Sequence, residues 1–230
     1  MASYLILCQE TAAESGIVAS GQPVSVTGQV GQLADIVRWV RDAYDMIQRS
    51  RADWTWMVTE FAGATIPGKS AHSAADLGIV DRFGSWVYSG QGQSGFTIQD
   101  GENEGELAFC HYEQFRAYVT GSRRTETGRP QLCTINNEGK LAVYPIPAIG
   151  SAYTIRGQYR KSPQVLAINT DIPDMPLEHH NAIRWQALIL CGVWEEASNQ
   201  IPGWQSFFQQ HRAELMRDYT PRVTVTGPLA

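Results

Sequence analysis

GATIPGKS, residues Gly63–Ser70, matches the pattern G-x-x-x-x-G-K-[ST] letter for letter. In a phosphate-binding loop this pattern follows a strand, opens a helix and wraps a nucleotide's phosphates in backbone N–H groups. A phosphate loop here would make the chain a parallel α/β nucleotide-binding domain, whereas a simple turn leaves other architectures open. The preceding Trp54–Ala62 is apolar and aromatic enough to be the required strand. By composition alone the pattern turns up in about one chain in a hundred of this length, so its surroundings must decide.

The surroundings count against phosphate. Pro67 has no N–H and stands where successive backbone donors should converge. The residues after Ser70, AHSAADLGIVDRFG, are broken by Gly78 before a helix could run beyond two turns. Of the candidate magnesium carboxylates, Asp81 lies too close in sequence and Glu195 follows a helical pattern. The stretch reads as a Pro-Gly turn between strands, with Lys69 a solvated charge. The competing reading is a nucleotide-binding enzyme that uses the Gly63–Ser70 loop through Lys69 and Ser70.

Outward from the loop, the chain changes character twice. Residues 3–15 read as a short helix closed by Gly16. From Leu33, the positions Leu33, Ile36, Val37, Val40, Tyr44 and Ile47 mark one helical face that runs to about Arg51. The opposite face offers Arg41–Asp45 and Asp45–Arg49 pairs at four-residue spacing. Between 57 and 164, β-rich runs alternate with Gly, Ser and Asn: Ser85–Tyr88, Gly95–Ile98, Leu141–Tyr144 and Tyr153–Tyr159. The last two are expected to form a hairpin across Pro145–Gly150. Tyr112, Phe115 and Val119 suggest one local helix stopped by Gly121.

Helices then return. Pro176 fits a first helical turn, and Ile183, Ala187, Leu190, Trp194 and Ala197 form a seam. Leu188, Ile189, Cys191 and Val193 make the same helix apolar nearly all round, as expected of one buried in a core or between subunits. Asn199–Pro202 breaks it, and a further helix carries Trp204, Phe208, His211 and Leu215 before Pro221. The expected fold is α+β: an α-helical bundle formed by both chain ends, with an inserted β-rich module. The boundaries are 1–56 and 165–219 for the two parts of the bundle, 57–164 for the module and 220–230 for an extended tail.

Composition narrows the function classes. Hydrophobic residues at 43% and charged residues at 18% are globular values. A net charge of −5 argues against a general nucleic-acid coat, although it suits a surface that DNA slides past. Only Lys69, Lys140 and Lys161 are lysines, so arginine carries nearly all the positive charge. Its planar head suits fixed protein–protein contacts better than lysine does, and it would equally suit phosphate. Cys8, Cys110, Cys133 and Cys191 are scattered, which predicts reduced thiols rather than disulfides or a zinc knuckle. The opening MASYLILCQE is too short in apolar residues for a signal peptide, and no run reaches the length of a membrane span. A soluble protein made in the cytoplasm is expected.

The remaining motifs carry no chemistry. GQGQSG (Gly90–Gly95) matches G-x-G-x-x-G, but a strand follows it where a helix is needed, so it reads as a hairpin loop. Glu178, His179 and His180 are adjacent on a helix and point about 100° apart, so they cannot share one metal ion. His72, His111 and His211 lie in separate segments, and no G-x-S-x-G nucleophile elbow occurs. Trp54, Trp56 and Phe61 read as a core cluster, and seven tryptophans suit a protein with extensive interfaces. No catalytic residue, cofactor or metal is expected.

Taken together, LADIVRWVRDAYDMIQRSRADWTWM (Leu33–Met57), YEQFRAY (Tyr112–Tyr118), KLAVYPIPAIGSAYTIRGQYRKSPQVL (Lys140–Leu166) and DIPDMPLEHHNAIRWQALIL (Asp171–Leu190) resemble the head–tail adaptor (connector) proteins of tailed bacteriophages. The similarity covers roughly residues 3–219, and its signals are diffuse. The resemblance implies a virion structural protein and no enzyme. Copies would form a ring, usually dodecameric, beneath the portal, receive tail or nozzle proteins and enclose the channel for the genome. The helical part would pack copy against copy, and DNA would pass without sequence-specific binding. The tail, through Pro221, Arg222, Val223 and Val225, would reach the portal. A tail-side role, as a tail-completion or nozzle protein, is the neighbouring alternative.

Overall fold

The computed structural model describes residues 2–16, 21–88, 95–151 and 153–221. Helices α1 (Tyr4–Ser15) and α2 (Gln32–Arg49) come first. Strands β1 (Val58–Ala64), β2 (Ala71–His72), β3 (Phe83–Val87), β4 (Thr97–Asp100), β5 (Asn103–Glu106) and β6 (Ala108–Phe109) precede helix α3 (Tyr112–Tyr118). Strands β7 (Thr127–Gly128), β8 (Leu132–Ile135), β9 (Leu141–Tyr144), β10 (Ile146–Pro147) and β11 (Thr154–Lys161) follow, then helices α4 (His180–Trp194) and α5 (Ile201–Tyr219). The fold is mixed α+β. Among the described residues, those up to Met57 and from Pro163 onward belong to one compact unit, and those within Val58–Ser162 form a second.

In the helical unit, α4 packs on α1, α2 and α5. Tyr4, Leu7 and Cys8 of α1, Ile36, Val40 and Tyr44 of α2 and Ile183, Ala187 and Cys191 of α4 share one core with Leu215 of α5. Each fully buried aliphatic side chain contributes about 1.5–3 kcal/mol. Because α4 has neighbours on several sides, most of its apolar circumference is covered within one chain; Val193 and Trp194 of its last turn are the exception. Ser3 caps α1 through Oγ and Gly16 ends it at φ 62°. The segment before α4 is tied down by α2. Gln48 Nε2 donates to Gln164 O (3.0 Å), Gln164 N–H donates to Gln48 Oε1 (2.7 Å), and Tyr44 O–H donates to Gln164 Oε1 (2.9 Å).

Several helical boundaries differ from expectation. Pro176 is not in the first turn of α4; it precedes a single 3₁₀ turn, Leu177–His179, and α4 begins at His180. The seam stops at Trp194, short of Ala197, and Glu196 takes a positive φ of 56°. Asp45 pairs with Arg49 at 2.7 Å, while Arg41 turns to its neighbour Asp42 at 3.3 Å.

In the strand unit, β11 organises the larger sheet. It pairs with β1 along seven residues (Val58↔Arg160 to Ala64↔Thr154) on one edge. On its other edge it meets β4 near its start and β3 near its end, and β5 extends the sheet from β4. A second sheet runs β2-β9-β8-β6, and β7 and β10 form a short parallel pair. The expected hairpin between Leu141–Tyr144 and Tyr153–Tyr159 does not form, because β9 pairs with β2 and β8 while β11 belongs to the other sheet. Nor do β3 and β4 pair with each other around Gly90–Gly95; each pairs with β11. Residues 90–94 of that motif lie outside the described residues.

Alternation along β9 explains the four consecutive buried residues of LAVY. Leu141 and Val143 enter the core shared with Trp86, Phe96, Ile98 and Ile155 of the larger sheet. Ala142 and Tyr144 face the other way, onto Phe115 and Val119 of the α3 segment. Helix α3 ends at Tyr118, and Gly121 opens a 3₁₀ turn (Gly121–Thr125) rather than serving as the stop. The expected Trp54–Trp56–Phe61 cluster divides. Trp54 and Trp56 belong to the helical core, while Phe61 packs at 5.2 Å from Trp86 in the strand core.

Candidate functional site

The Gly63–Ser70 stretch closes on protein groups. The chain reverses at Ile66-Pro67-Gly68-Lys69, where Lys69 N–H donates to Ile66 O at 3.1 Å and Gly68 has φ 77°. Proline at the second and glycine at the third position is the composition of a type II turn. Thr65 N–H donates to Tyr153 O (2.7 Å) and Gly68 N–H to Pro147 O (2.8 Å). The loop's donors therefore point at separate carbonyls instead of converging on one anion. After Ser70 comes β2, paired with β9, where a phosphate loop would open a helix. Gly63 serves packing: a Cβ there would stand 2.7 Å from Leu77 Cα.

Lys69 is a partly solvated charge that also has a partner in its own chain. Its Nζ lies 2.6 Å from Asp76 Oδ2. Asp76 is itself held in place, since Oδ2 accepts Ser73 N–H at 2.6 Å and Asp76 N–H donates to Ser73 Oγ at 3.2 Å, a reciprocal pair of bonds beside the 3₁₀ turn Ala75–Leu77. The hydrogen bond from Lys69, then those from Ser73, hold the Asp76 carboxyl well below the usual carboxylate range.

The histidines face different partners. Tyr219 O–H donates to Glu178 Oε1 (2.8 Å), His179 Nε2 lies 3.5 Å from Asp218 Oδ2, and His180 Nε2 donates to Met175 O (2.7 Å). His72 is fully buried in β2, and burial pushes its pKa and that of His180 down. Burial raises the Cys8 thiol to about 12 and the Cys191 thiol to about 11, so neither is a thiolate nucleophile near neutral pH. Among the described residues no cluster of three or more His, Cys, Asp or Glu could hold a metal ion.

Apolar surface, by contrast, is on display in the helical unit. Val193 and Trp194, in the last turn of α4, are each 66% exposed, and Arg38 lies over the Trp194 ring at 5.7 Å. On α5, Phe207 is 49% exposed and stacks on Trp185 at 4.7 Å. An apolar groove of about 160 Å³ runs between Met46 and Trp54 on one side and Phe208 and Leu215 on the other. These are features of a protein that works through contact.

A family model described as SU10 adaptor protein matches residues 8–230. The chain belongs to the SU10 adaptor protein family. It is a phage structural adaptor, a virion component that interacts with other virion proteins. No curated protein matches the chain. Among its described residues, no helix of the adaptor is long and apolar enough to cross a membrane.

Of the tail residues expected to meet a portal, Pro221 is exposed just beyond α5. Arg222, Val223 and Val225 lie outside the described residues. Two charged segments of the adaptor escaped the sequence reading. The β4–β5 hairpin exposes Asp100, Glu102 and Glu104, and α3 with the turn after it exposes Arg116, Arg123 and Arg124. The clustering of like charge in DGENEGE and in RAYVTGSRR was the available signal.

Proposed function

We propose that this adaptor is a non-enzymatic head–tail connector, a ring of copies beneath the portal that joins capsid to tail and continues the DNA channel. The α-helical bundle built from both chain ends packs copy against copy, and the β-rich module of residues 57–164 is inserted in it. The carrying observation is the end of α4. Val193 and Trp194 stand exposed at the end of a helix that packs on three neighbours, and Phe207 on α5 is half-exposed. Exposed aromatic and aliphatic side chains are what a permanent subunit contact uses. The net charge of −5 suits a channel that lets the genome pass without sequence-specific binding. The tail from Pro221 through Arg222, Val223 and Val225 docks on the portal, at the head–tail junction, as a dodecamer.

The test is to mix the protein with the portal of the same phage, size the complex by light scattering and image it by negative stain. Rings seated on the portal are expected. A stable monomer that never engages the portal overturns the reading, and rings that form only with tail components would move the protein to the tail side.

A further inference from the structure

A closed ring built from identical chains needs two different surfaces on each copy, one to give and one to receive. In the strand unit the β4–β5 hairpin, turning at Gly101 and Glu102, exposes Asp100, Glu102 and Glu104. Asp100 and Glu102 make no ion pair among the described residues, and Glu104 is engaged only by the Thr97 hydroxyl. The opposite charge is gathered elsewhere in the same unit. Arg116 lies on α3, and Arg123 and Arg124 lie on the wholly exposed 3₁₀ turn Gly121–Thr125. Arg123 is braced by the Tyr118 ring at 4.4 Å and by Tyr118 O at 3.3 Å, and Arg124 has no ion pair among the described residues. Arg116 reaches its own Glu113 only at 3.9 Å.

We propose that the exposed arginine segment Arg116–Arg124 receives the acidic β4–β5 hairpin of a second copy of this chain. The inference rests on the ring reading above and deepens it by assigning one copy-to-copy contact. Charge complementarity selects this occupant. Among the described residues no ion pair joins Arg116, Arg123 or Arg124 to Asp100, Glu102 or Glu104 within one chain, and a neighbour brings that partner. Arginine's planar fork fits carboxylates two hydrogen bonds at a time. β5 is also the edge strand of its sheet, so the hairpin is sterically open to a neighbour. Contacts of this kind set register and partner choice more than total affinity.

The experiment uses the full chain in sedimentation velocity, with and without portal, at about 0.05 M and about 0.5 M NaCl, a range over which exposed charge pairs are screened. Variants are Arg123→Glu with Arg124→Glu, Glu102→Arg with Glu104→Arg, and all four together, each first shown to melt like wild type. Either pair alone is expected to weaken assembly about tenfold or more, as is high salt, and the fourfold swap is expected to restore it. If wild type assembles and neither pair changes that, the ring reading stands and this contact is overturned; the carboxylates then only protect a sheet edge. If wild type assembles nowhere, both readings fall. If the arginine pair loses duplex DNA binding while self-association is unchanged, the segment faces phosphate and the proposal is overturned.

Discussion

Lys69 Nζ lies 2.6 Å from Asp76 Oδ2, so the lysine of the apparent phosphate loop is neutralised by a carboxylate of its own chain. The contact spans seven residues and ties the type II turn to the 3₁₀ turn behind it. A phosphate-binding lysine must be free to reach its anion, and here a competing anion is already fixed by Ser73.

The first prediction follows from that pairing. Titration of ATP or GTP, with magnesium, should give no saturable binding for wild type or Lys69→Ala. The substitution should cost about 0.5 kcal/mol in a denaturant melt, the scale of a partly exposed pair. Tight binding abolished by Lys69→Ala would restore the nucleotide reading.

The two glycines of the motif should separate by role. At Gly63, an added Cβ meets Leu77 backbone that cannot swing aside, so Gly63→Ala should cost about 1–3 kcal/mol through overpacking. Gly68 has open space but φ 77°, so Gly68→Ala should cost about 1–2 kcal/mol through backbone strain alone. Urea unfolding of both variants measures this.

What the sequence disclosed and what it hid divide along local and non-local lines. The α2 stripe from Ile36 to Ile47 and the Pro67-Gly68 turn depend on neighbours within a few residues, and both are present as read. The partner of β11 is not local: Phe61 finds Gly157 across 96 positions, while the nearer β9 goes to another sheet. Nothing in the alternation of LAVY says whether two faces are covered by one sheet or by a sheet and a helix. The Gln48–Gln164 bonds were illegible for the same reason, since a glutamine in an apolar stripe does not name its partner. In the candidate site, the apolar run of α4 was visible. That its last turn, Val193 and Trp194, stays exposed depends on where α5 sits.

Acid should destabilise the protein in two windows. Burial lowers the folded pKa of His72 and His180; Asp76 opposes this at His72 and Lys69 adds to it. The unfolded chain therefore takes up protons first as pH falls below about 6.5, and stability drops by at most about 1.4 kcal/mol per pH unit for each histidine. Asp76 has the opposite chemistry and the same sign. Its depressed folded pKa stabilises above about 3.9, and that contribution is lost as pH falls further, through the folded value. Urea midpoints at about pH 7.5 and about pH 5.5 should differ, and His72→Leu should reduce the slope. A flat profile would mean that both imidazoles protonate in place.

Two tryptophans of the helical unit should behave in opposite ways when truncated. Trp54 is fully buried, and its Nε1–H donates to Ile47 O at 3.0 Å, the acceptor near the end of α2. Trp54→Ala removes that bond and opens a cavity beside Leu215, so it should cost about 3–5 kcal/mol and lower the melting temperature sharply. Trp194 is two-thirds exposed, and the Arg38 guanidinium lies over its ring. Trp194→Ala should cost only about 0.5–1 kcal/mol, the scale of an exposed cation–π contact. In the ring proposed above, losing this aromatic anchor should weaken association by about tenfold or more. Thermal melts paired with sedimentation of the same two variants read both quantities. If Trp194→Ala assembles like wild type, the α4 end is ordinary surface and the copy-to-copy contact lies elsewhere.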